Sequence, residues 1–320
     1  MSEQLYVNGR IAVMSNRLLT ADKFLRLAEC NGMPEALKVL AECGYGAGIT
    51  LNSPNDYEQI LIAELDEAMS VFDELCFDKN AKAYFLCRYC YHNAKVLMKN
   101  KYMRQESAEG CFNNAGADPH KLQEEFVNDD YSSCSKTLAE ALRDVDYQFA
   151  DGNRSPRVVD VVLDKAMYRE MRTYAKRSTN AIPRELFRYE ADTLNLMLLY
   201  RLKKAAAEPS SLKDWFVEGG SLKMETLAKL WANDSAGAEL AEPYRQFYSL
   251  CTTDNQNLLA AEAAQKAGRN KIVRDHADFL SVQPVIQYFF SKVDEIDKVR
   301  HLLIYLKNGV DKETIKNYLK

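Results

Sequence analysis

Residues 53–75 have the sequence SPNDYEQILIAELDEAMSVFDEL, and this stretch decides the fold. Ser53-Pro54 marks a helix start, because a serine caps free backbone amides and a proline suits the first helical turn. Behind it, apolar residues recur at spacings of three and four, which predicts one buried stripe of a long α-helix. That stripe consists of Tyr57, Leu61, Leu65, Ala68, Phe72 and Leu75.

Helix signals of this kind continue along the rest of the chain. Further helix starts are predicted at Thr20, Pro34, Ser155-Pro156, Pro183 and Pro284, and another long helix is predicted from about Ala81 to Tyr102. Alternation of apolar and polar residues is absent, and only 13 Gly and 8 Pro occur in 320 residues, so we expect few or no strands. Looser segments, expected to be joints, are 110–119, 151–155 and 208–220.

The long helices belong to an internal repeat with a period near 102 residues. Ser53-Pro54 recurs 102 residues later, and the pentapeptide LDEAM at 65–69 recurs 98 residues later as LDKAM. The difference of four residues is about one helical turn, so the buried face is preserved. Asn93 in turn aligns with Asn195 and, more loosely, with Lys298. One such match could arise by chance, but three near a single period indicate a repeat.

A short loop and a small helix follow each copy, around Leu122, Leu227 and Ile315, and the opening helix from Thr20 resembles the same small element. We therefore predict three helical domains, 1–104, 105–208 and 209–320. Related units that present similar apolar faces associate quasi-symmetrically. This favours either an open curved array or a closed three-part cup with pseudo-three-fold symmetry.

Composition excludes several classes of protein. The net charge is −4, which argues against nucleic-acid binding, and no apolar run approaches the roughly 18 residues of a membrane helix. The polar first residues, Met1 to Gln4, do not fit a signal peptide. We therefore expect no transmembrane segment and eight free cysteines in a reducing compartment.

The patterns that resemble catalytic or metal sites are weak. Cys87-x-x-Cys90, followed by His92, lacks the second pair of ligands that structural zinc requires. The segment 44–48, GYGAG, lacks the lysine and hydroxyl of a phosphate loop. We therefore predict no catalytic residue, no metal, no cofactor and no nucleotide bound directly by this chain.

Three segments carry a family resemblance: 88–99, RYCYHNAKVLMK; 189–196, YEADTLNL; and 284–296, PVIQYFFSKVDEI. Together with the opening YVNGR at 6–10 they resemble the C subunit of the V/A-type rotary ATPases (ATP synthases), which is equivalent to the d subunit of vacuolar ATPases. The likeness covers nearly the whole chain and is sparse only between 219 and 267. The ordered set of segments, rather than any single motif, carries the resemblance.

The resemblance implies a funnel of three helical domains around a pseudo-three-fold axis. Its wide side would seat on the membrane rotor ring, and its cavity would receive the central shaft made of the D and F subunits. Such a protein transmits torque in ATP-linked proton or sodium transport, has no active site, and lies at the cytoplasmic face of the membrane as a peripheral component.

The resemblance also singles out repeat positions with a structural role. The second repeat keeps Asp192 three residues before Asn195, and the third has Glu295 before Lys298, with Arg300 in the aligned segment. An acid and an amide one helical turn apart can tie neighbouring helices by hydrogen bonds. The family's first repeat usually carries an acid where this chain has Cys90, three residues before Asn93, so we expect one looser polar contact there.

Two other functions stay open at the level of the sequence. One is a curved helical-repeat scaffold that binds a protein partner, which an open superhelix would favour. The other is a helical enzyme with a pocket at a domain junction, which would require a cluster of polar side chains that the sequence does not reveal.

Overall fold

The chain is helical throughout the described residues of this computed structural model, which are 2–104, 107–152, 155–253, 258–278 and 280–319. Within these ranges no strand is present, which confirms the all-α prediction. The helices are α1 (Ser2–Ser15), α2 (Ala21–Ala28), α3 (Met33–Glu42), α4 (Glu58–Leu75), α5 (Lys79–Met103), α6 (Pro119–Val127), α7 (Lys136–Ala150), α8 (Pro156–Arg177), α9 (Ala181–Lys204), α10 (Leu212–Trp215), α11 (Met224–Ala232), α12 (Tyr244–Thr253), α13 (Leu258–Asp275), α14 (Gln283–Lys307) and α15 (Lys312–Leu319).

The predicted helix starts are confirmed. Thr20 is the N-cap residue of α2 and Ser155 is that of α8, but neither side chain makes a capping hydrogen bond. Ser53 and Asp56 form a capping box, in which each side chain accepts a backbone amide, at the start of a single 3-10 turn, Pro54–Tyr57, that leads into α4. The loose segment 208–220 contains more order than expected, since it holds a 3-10 turn and the short helix α10.

Contacts between residues divide the chain into two compact units, each made of separate stretches. The first comprises 1–77, 108–122 and 278–320, and the second comprises 78–107 and 123–277. The first unit therefore contains both ends of the chain. The three predicted domains, 1–104, 105–208 and 209–320, and their funnel arrangement stay predictions.

The first unit is built on α4 and α14, with α1 packed on α14 and α15 packed on α2. Phe72 of α4 and Phe289 of α14 lie with ring centroids 4.7 Å apart, and both side chains are buried. The stripe predicted in residues 57–75 is the face of α4 that is buried, since Leu61, Leu65, Ala68, Phe72 and Leu75 are all buried. Burying an apolar side chain of this size contributes about 1.5–3 kcal/mol.

The second unit is built on the long helices α5, α8 and α9, with α7, α12 and α13 packed against them. One apolar cluster of this unit joins the end of α9 to the small helices α11 and α12, through Leu196, Leu199, Leu227, Leu230 and Phe247 among others. None of the helices in the described ranges combines the length and apolarity needed to cross a membrane.

Candidate functional site

The repeat positions predicted in the second repeat, Asp192 and Asn195, are fully buried and hold a loop. Asp192 of α9 accepts backbone N–H groups from Ser221 and Leu222, both at 2.8 Å. One turn later, the Asn195 side chain donates to the Val217 carbonyl and accepts its N–H, both at 2.9 Å. The acid and the amide therefore tie α9 to the backbone of residues 217–222, rather than directly to a neighbouring helix.

Close approach of the loop to Asp192 depends on Gly220. A Cβ atom at this position would lie 2.1 Å from Asp192 Oδ1, much closer than any real contact. The pKa of the Tyr244 hydroxyl is raised, chiefly by burial and next by the negative charge of Asp192. The carboxylate is therefore enclosed by the loop on one side and by α12 on the other.

In the first unit, Glu295 of α14 occupies the corresponding position with different partners. Its side chain is 4% exposed. It accepts the backbone N–H of Leu19, the hydroxyl of Tyr45 at 2.5 Å and the ammonium of Lys292 at 2.8 Å. The same ammonium also lies 2.7 Å from Glu64 of α4, so one buried cation joins two buried carboxylates.

Electrostatics favours a charged Lys292 in this group. Burial alone lowers the pKa of the ammonium, but the carboxylates of Glu295 and Glu64 outweigh burial and raise it above its ordinary value. The ammonium also lies 4.2 Å from the centroid of the Tyr45 ring, where the face of the ring attracts a cation. Four side chains from three segments of the first unit are thereby held as one network.

The amides bound by the two acids occupy the same place relative to a small helix. Leu222 immediately precedes Lys223, the N-cap residue of α11, and Leu19 immediately precedes Thr20, the N-cap residue of α2. In both units a carboxylate on a long helix therefore binds the backbone just before a small helix begins. The opening helix α2 and the small helix α11 therefore share a polar contact, in which a buried carboxylate binds the backbone N–H just before the N-cap residue.

Cys90 and Asn93 lie on α5 at the corresponding place in the first repeat. Asn93 is fully buried, and burial raises the pKa of the half-buried Cys90 thiol to about 12. A carboxylate reaches the start of α7 from a different helix. Glu170 of α8 accepts the hydroxyl of Ser135, the N-cap residue of α7, at 2.8 Å and that of Tyr91 at 2.7 Å.

Glu170 was missed from the sequence, although one signal was present. It lies between Met167 and Met171 on the buried face of α8, and an acid on such a face requires hydrogen-bond donors. Tyr174, one turn further along, donates a third hydrogen bond to it at 2.6 Å. Three hydroxyl donors satisfy this carboxylate.

Glu190 is a second buried acid that sequence reasoning missed. It contacts Arg88 at 2.9 Å and Arg269 at 3.0 Å, and it accepts the Tyr84 hydroxyl at 3.2 Å. Burial alone raises the pKa of Glu190, but the two guanidinium groups outweigh burial and hold the pKa below its ordinary value. Since α5, α9 and α13 supply these groups, the cluster ties three helices of the second unit together.

Arg300, the remaining repeat position, makes a more exposed contact. Its Nε lies 3.2 Å from both carboxylate oxygens of Glu58, and its Nη1 lies 3.1 Å from Asp297. The first pair joins α14 to the start of α4. Exposed pairs of this kind contribute about 0–1 kcal/mol, so the buried acids matter more for rigidity.

Side chains suited to metal binding do not gather in the described parts of the chain. There, no set of three or more His, Cys, Asp or Glu side chains is arranged to hold a metal ion. All eight cysteines are free thiols, and burial raises the pKa of Cys87, which follows from its place in the core of α5 rather than in a reactive site.

Comparison with known proteins assigns the chain to a family. The family model described as "ATP synthase (C/AC39) subunit" matches residues 7–318. The chain is 24% identical to the C subunit of the A-type ATP synthase of Methanococcoides burtonii, with 99% of this chain and 94% of the relative covered. It is 25% identical to the C subunit from Desulfurococcus sp. (97% and 89% covered) and 23% identical to that from Thermococcus kodakarensis (98% and 89%). A match of this extent shows that the chain belongs to the C/AC39 family of A/V-type ATP synthase subunits.

Proposed function

We propose that this chain is a non-catalytic central-stalk subunit of a V/A-type rotary ATPase. It acts as the socket that couples the rotating shaft, made of the D and F subunits, to the membrane rotor ring during ATP-linked proton or sodium transport. The observation that carries the proposal is the family match over residues 7–318, which spans both compact units. Relatives that match along nearly the full length are named as the C subunit of A-type ATP synthases.

The buried polar contacts support a role in transmitting torque. A socket between a shaft and a ring must resist shear between its helices and its loops. Asp192 and Glu295 each anchor the backbone that precedes a small helix, and Glu190 joins three helices within the second unit. Removing one partner of a buried ion pair such as Lys292–Glu295 typically costs about 3–5 kcal/mol. Such contacts favour rigid units over a pliant scaffold.

The proposal includes a location and a division of labour. The protein would be peripheral at the cytoplasmic face of the membrane, held there by the rotor ring. Three helical domains would surround the shaft, and ATP hydrolysis or synthesis would belong to other subunits. ATP turnover by the purified chain alone would contradict this division.

Reconstitution tests the socket role directly. The complete complex, a complex without this chain, and the depleted complex with the purified chain added back would be compared in vesicles. We expect ATP-driven ion transport to be lost on depletion and regained on addition, because only then do the shaft and ring turn together. Undiminished transport without the chain would overturn the proposal.

Binding to each partner separately distinguishes the socket from a general scaffold. We expect the purified chain to bind the D–F complex and, in detergent, the isolated ring. Failure to bind either partner, together with stable binding to an unrelated protein, would favour the curved helical-repeat scaffold instead.

A further inference from the structure

A groove with opposite charges on its two rims runs between α7 and α8 of the second unit. Its volume is about 700 Å³. The floor consists of small apolar side chains from both helices, including Ala141, Val158, Val162 and Ala166. One rim carries Glu140 and Asp144 of α7, and the other carries Arg157, Lys165 and Arg169 of α8, all of them exposed.

Among the residues that the structure describes, no acid forms an ion pair with the basic rim, and the neighbouring acids of α8 pair with α5 instead. Asp160 binds Lys99 at 2.8 Å and Asp164 binds Lys95 at 2.6 Å, both on α5. The face of α8 that lines the groove is therefore left with positive charge. Its cations lie over an aromatic ring instead, with Arg157 at 5.8 Å and Lys165 at 5.6 Å from the Trp215 centroid.

The acidic rim is similarly open. The Glu140 carboxylate lies 4.0 Å from the ammonium of Lys136, whose side chain is 91% exposed. Asp144 accepts a hydrogen bond from Gln148 on its own helix. Contacts this exposed contribute little and rearrange readily. Both rims can therefore exchange their present contacts for charges on a partner.

The shape and chemistry of the groove fit a helix rather than a small ligand. From Arg157 to Arg169 the basic rim extends about 18 Å at 1.5 Å per residue, which is more than three helical turns. Between the charged rims the lining is mainly apolar, with Gln148 and Ser155 as its uncharged polar members. Small-ligand pockets instead place polar groups within an enclosed cavity to orient the molecule. A floor of small side chains admits the larger apolar side chains of a facing helix.

We propose that this groove is the docking site for one amphipathic α-helix of a partner protein. The helix carries an apolar stripe, acidic residues along the edge facing Arg157, Lys165 and Arg169, and basic residues along the edge facing Glu140 and Asp144. Because reversing a helix end for end exchanges its two edges, the rims also determine the direction in which the helix runs. The inference is independent of the socket role, since it follows from the groove alone.

A designed peptide tests the proposal with the full chain. The probe is a fluorescently labelled amphipathic helix of about 18 residues, with Leu on one face, Glu along one edge and Lys along the other. Binding is followed by fluorescence anisotropy at low salt. We expect saturable binding that weakens at high salt, because the rim charges are exposed to solvent.

Charge reversal supplies the decisive comparison. Arg157→Glu with Lys165→Glu should weaken binding about tenfold or more, because two attractions become repulsions. Adding Glu140→Lys and Asp144→Lys should restore binding, with the helix docked in the opposite direction. The matched control, Lys176→Glu with Arg177→Glu, changes two exposed cations of α8 outside the groove and should leave binding within about twofold.

A second variant tests the floor and a competing occupant. Val161 also lines the groove. Val161→Asp places a charge among the apolar side chains and should abolish binding, while its circular dichroism spectrum should match that of the original chain. Absence of saturable binding, or binding indifferent to reversal of the rims, would overturn the proposal. A dimer of this chain that Val161→Asp dissociates would also overturn it, since a second copy would then be the occupant.

Discussion

The two units solve the same structural problem with different chemistry. In the second unit, Asp192 binds two backbone amides and is enclosed by glycine and tyrosine. In the first unit, Glu295 binds one backbone amide, a tyrosine hydroxyl and the ammonium of Lys292. Both acids hold the residue that precedes the N-cap of a small helix. The two repeats therefore share the contact between the acid and the backbone, but they differ in the groups that stabilise the negative charge.

This difference separates two ways of stabilising a buried carboxylate. Backbone amides are always present, so the Asp192 site depends chiefly on the path of the loop. A side-chain cation can be lost by a single substitution, so the Glu295 site depends on Lys292. Sites of the second kind should be the more sensitive to mutation, because loss of the cation leaves two buried carboxylates without a counter-charge.

Lys292→Met should have the largest effect. Since Glu64 and Glu295 would remain buried beside an apolar side chain, we expect a loss of about 3–5 kcal/mol in the free energy of unfolding. Urea denaturation followed by circular dichroism measures it. Lys307→Met, at an exposed position of the same helix, is the control and should change stability by about 0.5 kcal/mol or less. A loss no greater than the control's would show that the first unit does not depend on its cation.

Asp192→Asn should come next, at about 2–3 kcal/mol. The substituted amide presents one donor group to backbone N–H groups that are themselves donors, so at least one buried hydrogen bond is lost. Hydrogen exchange of residues 217–222, measured by mass spectrometry, should accelerate. Asp160→Asn removes a surface carboxylate from the same unit and serves as the control; equal acceleration in both variants would contradict the proposed anchor.

Cys90 and Glu170 test whether the comparison extends to the first repeat. Cys90→Asp should destabilise by about 1–2 kcal/mol, because it brings a second buried acid close to Glu170. Glu170→Gln alone should cost about 1–2 kcal/mol, since Gln leaves part of the hydroxyl network unpaired. If Glu170 replaces the acid missing at position 90, the double variant should lose less than the two single losses combined.

If the two losses of stability simply add in the double variant, Glu170 does not replace the acid missing at position 90. Additive losses would mean that Glu170 and position 90 act independently, and the contact expected at Cys90 would have no replacement. Cys90→Ser is the matched control, because it keeps the size of the side chain without adding charge.

The smallest expected effect is a change in acid sensitivity through Glu190. Its folded-state pKa lies below the ordinary value of 4.5, so the unfolded chain takes up its proton first as the pH falls. The stability from this group is complete above pH 4.5 and is lost as the pH falls through the folded pKa. Unfolding free energies should therefore fall less steeply below pH 4.5 in Glu190→Gln than in the original chain. Equal slopes in the variant and the original chain would show that Glu190 does not contribute to acid sensitivity.

Much of this architecture was predictable because helices leave periodic signals. The stripe in residues 57–75 and the serine–proline starts predicted α4 and α8, and both helices are present. The internal repeat led to Asn195 and the family resemblance to Asp192, and both prove to be fully buried and hydrogen-bonded. Local patterns suffice here, because caps and apolar stripes act within a few residues of one another.

The partners of these side chains were not predictable, because they lie far away in sequence. Glu295 and Leu19 are separated by 276 residues, and Tyr91 and Glu170 by 79. Periodicity shows which face of a helix is buried, but not which element covers it. Glu170, Glu190 and Lys292 therefore escaped notice, although all three lie in the interior.

By itself, the sequence determined the all-α class, the helix starts, the repeat near 102 residues and the family resemblance that the comparisons bear out. The tertiary structure alone decided which loop each buried acid holds, which cation compensates Glu295, and that Glu170 serves the start of α7. The physical reason is one of range. Helix formation depends on neighbours within a turn or two, whereas a buried charge requires partners that only the packing of distant segments brings within about 3 Å.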